Sequence, residues 1–175
     1  KMRLAEAAAS GDLEQVRSLL NSGSRINDES ECVIVTNTGD KVSTTGTPLQ
    51  AAASMGHATV CEFLVKMGAI VDLKNRESGN TALILGVRSG HADVIRFLLA
   101  RRSHPNALNF AGLSSLHFAV ERMSPNIAQV LLAYGADPNV HDKSGMTPLL
   151  LAISASPFLV DGKKFQSRWD LGLLK

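Results

Sequence analysis

The sequence predicts an all-α solenoid, in which short helix-turn-helix units stack side by side. Residues 46–75 show the unit most clearly, as two helical segments that end at Gly56 and Gly68. Neither segment is long enough to be stable as an isolated helix, so each unit needs neighbours to pack against. Such neighbours are present, because equivalent leucines recur 34, 33 and 33 residues apart, at Leu49, Leu83, Leu116 and Leu149.

The two helices of this unit have recognisable starts and an apolar side. Thr47 is a good N-cap, and Pro48 then occupies the first helical position, where its missing N–H costs nothing. Small residues follow at Ala51 to Ala53, which lets a neighbouring helix approach closely. The second helix has an apolar stripe made of Val60, Cys61, Phe63 and Leu64.

The period and the recurring motifs resemble the ankyrin-repeat family over nearly the whole chain. The resemblance depends on several motifs in register: Gly46–Leu49, Gly56-His57, Gly68-Ala69, Gly90-His91, Leu116-His117, Gly135-Ala136-Asp137 and Thr147-Pro148-Leu149. It implies a solenoid whose repeats are joined by short β-hairpin turns, here called fingers. It also implies a module that binds other proteins.

We expect one domain made of five repeats. In this register the sequence stops in the middle of a helix, so we also expect the chain to be a piece of a longer protein. The expected repeats span residues 4–27, 46–75, 76–108, 109–141 and 142–175. The first lacks the Thr-Pro start, as a terminal repeat with one face in water is expected to.

An insert at residues 28–45 interrupts the period, since Leu4 and Leu49 lie 45 residues apart. Two β-branched runs, Glu31 to Thr36 and Lys41 to Thr45, flank a turn rich in Asn and Gly. This pattern predicts an elongated β-hairpin finger, and a disordered loop is the alternative.

Three other places depart from the repeat pattern. Arg101-Arg102 replace the glycine that ends repeat three, so its last helix is expected to end by another route. Repeat four has Ser114-Ser115 in place of Thr-Pro and Met123-Ser124 in place of Gly-His. Repeat five departs after Ile153. Aligning Leu173-Leu174 with Leu131-Leu132 places Trp169 inward against the end of the stack, with a free amphipathic tail as the alternative.

Composition and hydropathy limit the classes of partner and the cellular locations that we expect. A net charge of +2 gives no case for a nucleic-acid partner. No apolar run approaches the length of a membrane span, and no secretory signal is visible. We therefore expect a monomeric intracellular protein, cytoplasmic or nuclear, with no membrane insertion. Of its two cysteines, Cys61 is expected in the core and Cys32 at an exposed position of the insert, both as reduced thiols.

The sequence offers no catalytic, cofactor or metal site. Phosphate-binding and nucleophile motifs are absent, and the cysteines and histidines lack metal-ligand spacing. The resemblance implies structural roles for His57, His91 and His117, the last bridging backbone groups of neighbouring fingers. His104 and His141 are expected to be solvated or to face a partner. We expect a protein that is not an enzyme and binds no cofactor.

The resemblance implies that partners dock on the finger tips and on outward positions of the first helices. Transferred to this chain, that register gives twelve candidate contacts: Met55, Lys74, Glu77, Asn80, Arg88, Leu108, Phe110, Leu113, Glu121, Arg122, Lys143 and Met146.

The fourth finger is the most distinctive part of this surface. Leu108, Phe110 and Leu113 occupy positions that are usually polar, and Arg88 and Arg122 are expected at their rim. Phe110 either faces a partner, as a binding hot spot, or folds back between fingers. Because the rim charges are mostly basic, an acidic-and-apolar peptide is the partner class to test first.

We therefore predict a non-enzymatic scaffold or adaptor that binds a peptide or a partner domain on its concave face. Two alternatives remain. One is a stoichiometric regulator, like the small ankyrin proteins that inhibit cyclin-dependent kinases. The other is the substrate-recruiting arm of a ubiquitin ligase.

Overall fold

The computed structural model describes residues 3–35, 41–155, 159–160 and 163–164. Its helices are α1 (Leu4–Ser10), α2 (Leu13–Asn21), α3 (Pro48–Met55), α4 (Ala58–Lys66), α5 (Ala82–Ser89), α6 (Ala92–Ala100), α7 (Ser115–Glu121), α8 (Pro125–Ala133) and α9 (Pro148–Ala155). Its strands are β1 (Ser30–Val35), β2 (Lys41–Gly46), β3 (Leu159–Val160) and β4 (Lys163–Lys164).

The helices form antiparallel pairs that stack into two rows. The first helices of the pairs contact one another in the order α1, α3, α5, α7 and α9. The second helices α2, α4 and α6 contact one another in the same order. This arrangement confirms the predicted all-α solenoid. None of the helices in the described part of the chain is long and apolar enough to cross a membrane.

The first helices begin at the predicted caps. Thr47 Oγ1 accepts the N–H of Gln50 at 3.3 Å, and Gln50 Oε1 accepts the N–H of Thr47 at 2.9 Å, which completes a capping box at α3. Thr81 caps α5 by the same hydroxyl bond, at 3.3 Å. Ser114 takes the N-cap position of α7, so serine replaces threonine there without loss of the helix.

Glycine in the left-handed region ends most of the helices, and two other residues adopt the same conformation. Arg102 has φ 64° and Met123 has φ 53°, where the equivalent residues Gly68 and Gly90 have φ 98° and φ 84°. The N–H of Ser103 donates to Leu98 O at 3.0 Å, just as the N–H of Ala69 donates to Leu64 O at 2.9 Å. The prediction that α6 ends by another route is therefore wrong, because Arg102 tolerates the glycine conformation.

The core runs along the stack between the two rows of helices. Three of the periodic leucines, Leu49, Leu83 and Leu116, are buried, and so is Cys61, as predicted. Leu149 is 64% exposed. It lies on α9, the last helix in the described part of the chain, which packs mainly against α7.

The insert forms the predicted elongated hairpin. β1 pairs antiparallel with β2, from Ser30 opposite Gly46 to Val35 opposite Lys41. The pairing contradicts the alternative of a disordered loop for these strands. The turn at residues 36–40 and the side chain of Cys32 lie outside the described part of the structure.

β3 and β4 follow α9 as a short antiparallel pair, which the sequence did not predict. The predictions for Trp169, Leu173 and Leu174 lie outside the described residues.

Candidate functional site

Each of the last three fingers is closed by the side chain of its first residue. Asn75 Oδ1 accepts the N–H groups of Ser78 and Asn80, at 3.1 and 3.0 Å. Asn109 and Asp142 accept two backbone N–H groups in the same manner, those of Ala111 and Leu113 and those of Ser144 and Met146. A short side chain with a carbonyl or carboxylate oxygen suits this turn. The third, fourth and fifth fingers (residues 75–80, 109–113 and 142–146) are therefore closed by the same kind of bond, although the third finger is one residue longer than the other two.

The fingers are also bonded to one another. The N–H of Phe110 donates to Ser78 O at 2.9 Å, and the N–H of Lys143 donates to Ala111 O at 3.1 Å. Asn109 Nδ2 donates to Asn80 Oδ1 at 2.9 Å, which adds a side-chain bond between the third and fourth fingers. The tips therefore form one continuous row that presents its residues in fixed order.

Phe110 lies on this row with its ring partly packed and partly in solvent. Its side chain rests on Gly79 of the third finger, where an added Cβ would lie 2.5 Å from the ring carbon Cδ1. Gly79 has φ 71°, so glycine is favoured there by conformation as well as by space. Phe110 is still 52% exposed. The ring thus combines the two predicted alternatives, since it packs against a neighbouring finger and also presents apolar surface.

The structure places the twelve candidate contacts at different depths. Seven are exposed: Lys74, Glu77, Arg88, Phe110, Glu121, Arg122 and Lys143. Four are half-buried, namely Met55, Leu108, Leu113 and Met146. The remaining one, Asn80, is buried.

Asn80 has an internal role that sequence reasoning did not anticipate. Its Nδ2 donates to Ser78 Oγ at 2.7 Å, and its Oδ1 accepts from Asn109. Because both ends of the amide are engaged and the residue is 3% exposed, Asn80 supports the fingers and is a poor candidate for direct partner contact. Leu113 packs against the main core, and Met55 packs against Ala5, Ala9 and Ala51.

Arg122 also makes an internal contact. Its Nη1 donates to Arg88 O at 2.7 Å, and its guanidinium lies over Gly90 of the preceding repeat. His57 and His91 make the equivalent bridges two repeats and one repeat earlier, from Nε2 to Ala9 O and to Ser54 O, each at 3.0 Å. Each ring lies over a glycine in the same way. The sequence did carry a signal for this change. Ser124 stands in repeat four at the position that His57 and His91 occupy in repeats two and three, so another side chain had to make the bridge.

His117 has the bridging role predicted for it. Its Nδ1 accepts the N–H of Ser114 at 3.1 Å, so Nε2 carries the proton that is donated to Met146 O at 3.1 Å. The ring therefore joins α7 to the fifth finger. His104 and His141 are exposed, as predicted.

The hairpin finger is tied to the third finger. Thr45 Oγ1 donates to Glu77 Oε1, and Asn75 Nδ2 donates to Thr45 O at 3.4 Å. Arg76 Nε lies 3.6 Å from Glu29 Oε2 at the base of the hairpin. Glu77 therefore already has a partner within the chain.

The remaining exposed charges on the row are mainly basic. Lys74, Arg88 and Lys143 have no carboxylate within 4.0 Å among the described residues. Glu121 is the exposed acid beside them. The surface around Phe110 is thus apolar at its centre and mixed but mostly basic at its rim.

Two kinds of reactive group can be assessed among the described residues, a metal-binding cluster and a free thiol. These residues contain no group of three or more His, Cys, Asp or Glu side chains that could hold a metal ion. Burial raises the pKa of the Cys61 thiol to about 12, so its nucleophilic thiolate is scarce at neutral pH.

Comparison with known proteins gives two family matches. Residues 4–109 match the family described as "Ankyrin repeats (3 copies)", and residues 106–152 match "Ankyrin repeats (many copies)".

Individual relatives agree with these matches. The chain is 34% identical over 117 residues to "Putative ankyrin repeat protein FPV031" of Fowlpox virus, covering 64% of this chain and 34% of that protein. It is 30% identical over 135 residues to "Probable E3 ubiquitin-protein ligase XBOS32" of Oryza sativa subsp. japonica, covering 75% and 24%. It is 35% identical over 111 residues to "Nuclear factor NF-kappa-B p105 subunit" of Gallus gallus, covering 61% and 11%. The chain therefore spans about a third or less of the length of these relatives.

Proposed function

Because the chain belongs to the ankyrin-repeat family, we propose that it acts as a scaffold or adaptor. The fold of this family is typical of non-enzymatic protein–protein interaction modules. In this proposal residues 1–175 form one domain of five repeats. Its partner is an acidic-and-apolar peptide segment of another protein, bound on the concave face along the row of fingers.

The observation that supports this proposal best is the half-exposed ring of Phe110. Its backbone N–H is fixed by Ser78, and one part of its ring is fixed by Gly79, so little side-chain entropy is lost when a partner covers the rest. A rigid aromatic group at the centre of a polar rim is the usual form of a binding hot spot.

The rim supplies the second part of the proposed recognition. Arg88, Lys143 and Lys74 are exposed cations that would attract carboxylates of the partner, while Glu121 would disfavour acidic groups beside it. Leu108 and Met146, both half-buried, extend the apolar surface on either side of the fourth finger. We therefore expect apolar and acidic residues to alternate in the bound peptide.

The test uses Phe110→Ala and peptides selected on the wild-type protein from a displayed library of short random sequences. We expect the peptides to be rich in acidic and apolar residues and the variant to lose about 2 kcal/mol of binding free energy. The free energy of unfolding should fall by less than about 1 kcal/mol, since the ring is half in solvent. Calorimetric titration and urea denaturation give the two quantities.

Glu121→Ala is the matched control, because Glu121 is an exposed residue at the end of α7, the helix that follows the fourth finger. It should leave unfolding unchanged and should not weaken binding. Affinity should also fall as salt rises, because the rim charges are accessible to solvent. A large loss of stability in Phe110→Ala with unchanged peptide affinity would show that the ring is structural, and the proposal would fail.

A second candidate function is favoured by the similarity to the rice protein. That protein is named as a probable E3 ubiquitin-protein ligase, and this chain aligns with about a quarter of it. In that setting the same row of fingers would recruit a substrate to a catalytic domain elsewhere in a longer protein. Ubiquitylation of a fused test peptide by the full-length protein, lost on Phe110→Ala, would distinguish this role from that of a plain scaffold.

We also propose that the protein works inside the cell, in the cytoplasm or nucleus, as a monomer. The unpaired Cys61 thiol supports this placement, since disulfides form in oxidising extracellular compartments and are rare in the cytosol and nucleus.

A further inference from the structure

A cleft of about 420 Å³ lies at the first repeat, away from the fourth finger. It is bounded by the start of α1, the end of α2 and the start of β1. Its lining includes the polar residues Arg3 and Arg25 and the apolar residues Leu4, which is buried, and Leu19, which is half-buried. A concave site of this volume with a few charged groups is of the size that takes a short peptide segment or a small ligand.

The two arginines leave the cleft with an excess of positive charge. Both are exposed, and no carboxylate of the described residues lies within 4.0 Å of either guanidinium. Asp28 is the acid that lines the cleft. The nearby Glu6 accepts the backbone N–H of Arg3 at 2.8 Å. The lining therefore carries two positive charges and one negative charge, and this excess of one positive charge favours a carboxylate ligand.

The end of α2 does not offer its carbonyl groups to these arginines. The N–H groups of Ser22, Gly23 and Ser24 donate to the carbonyls of Ser18, Leu20 and Leu19, at 3.0 Å each. Ser22 Oγ also donates to Leu19 O at 2.8 Å. Neither guanidinium makes a hydrogen bond or an ion pair with the described residues, so both remain available to a ligand.

We propose that this cleft binds an acidic side chain and an adjacent apolar side chain of a protein partner. The carboxylate lies between Arg3 and Arg25, and the apolar group packs on the half-buried Leu19. The site is separate from the row of fingers, so a partner that engages both gains affinity from two linked contacts.

The probe is a displayed library of short random linear peptides. It is selected on the wild-type protein and depleted on the double variant Arg3→Ala and Arg25→Ala. The peptides that remain should carry an Asp or Glu next to an apolar residue. A synthetic copy should bind Arg25→Ala about tenfold or more weakly than wild type, as expected for a lost charge-assisted hydrogen bond. Replacing its acidic residue by Gln or Asn should have a similar effect.

Two variants serve as controls. Arg96→Ala removes an exposed arginine on α6 that lies 3.9 Å from Asp93, and it should not change the affinity. Phe110→Ala should not change the affinity of this peptide either. The experiment can therefore reject the cleft while the proposed finger site stands, or reject the finger site while the cleft stands. Circular dichroism and melting temperature check that each arginine variant is folded, as expected for exposed positions.

Three outcomes would overturn the proposal. The library leaves no peptide after depletion, or the remaining peptides lack acidic residues, or Arg25→Ala binds as tightly as wild type. Sedimentation of the free protein tests a different occupant of the cleft. A dimer that dissociates on Arg25→Glu would show that a second copy fills the cleft in place of a partner.

Discussion

Ser115 has a buried hydroxyl group with no hydrogen-bond partner in the described part of the chain. It occupies the first position of α7, where α3 and α9 begin with Pro48 and Pro148. Ser114, the residue before it, has φ −90° and ψ 170°, which is the extended conformation that a following proline requires.

We predict that Ser115→Pro stabilises the protein by about 1 kcal/mol. The substitution removes an unsatisfied buried hydroxyl, and it restricts the unfolded chain at a position already suited to proline. Urea denaturation measures the change. Ser115→Ala is the control, since it removes the hydroxyl without the proline ring and should give part of the gain. A destabilised Ser115→Ala would show that the hydroxyl has an unseen partner.

The left-handed residues Arg102 and Met123 show what the sequence could not indicate. Each holds a conformation that costs a non-glycine residue roughly 1 kcal/mol or more. The cost is offset by the hydrogen bonds that close α6 and α7. These bonds run from the N–H of Ser103 to Leu98 O and from the N–H of Ser124 to Ala119 O, each at 3.0 Å. The repeat geometry therefore overrides local preference, and a sequence pattern that reports only local preference predicts a different helix end.

At the scale of the helices, one contact recurs between the ends of successive first helices. A side chain of one repeat crosses the closing turn of the repeat before it and donates to a carbonyl near the end of that helix. His57 and His91 do this by imidazole, and Arg122 does it by guanidinium. The bond to the preceding first helix is thus made by an imidazole in two repeats and by a guanidinium in the next. The arginine that donates it lies two positions before the place where the other repeats have histidine.

We predict that Arg122→Ala lowers the free energy of unfolding by about 1 kcal/mol, because it removes the bond to Arg88 O and the packing on Gly90. Urea denaturation is the measurement. Glu121→Ala, an exposed neighbour on α7, should leave stability unchanged. If Arg122→Ala is as stable as wild type yet binds selected peptides weakly, Arg122 acts as a partner contact and the bridge contributes little.

The helices, the period and the paired hairpin strands could all be predicted, because each depends on a pattern that recurs or on local turn chemistry. The burial and the contacts of individual side chains could not be predicted from the sequence. Asn80 is buried and Arg122 bends back because of bonds to neighbouring fingers and helices, which are set only when the repeats stack. Phe110 had two plausible environments in the sequence, and its contact with Gly79 depends on the spacing between fingers.

Across the whole molecule, the loops that follow the second helices link neighbouring repeats in the same way each time. Asn27 Oδ1 accepts the N–H of Ile70, the Asp72 carboxylate accepts that of His104, and Asn106 Oδ1 accepts that of Asp137, at 2.9, 3.1 and 2.7 Å. Together with the bonds between fingers, these links couple every repeat to the next. Stability in such a stack is a sum of repeat terms and interface terms, so strong interfaces make unfolding cooperative.

Cys61 provides a test of this cooperativity, because it is fully buried on α4 and its pKa is raised to about 12 by that burial. In a Cys32→Ser background it is the single thiol, and it can be alkylated only after the second repeat opens. We predict that the opening free energy from thiol labelling equals the unfolding free energy from urea denaturation. An exposed thiol in the variant Ser18→Cys with Cys61→Ala and Cys32→Ser gives the reference labelling rate. An opening free energy well below the global value would mean that the repeats open one at a time, and that the links between loops and fingers are too weak to couple them.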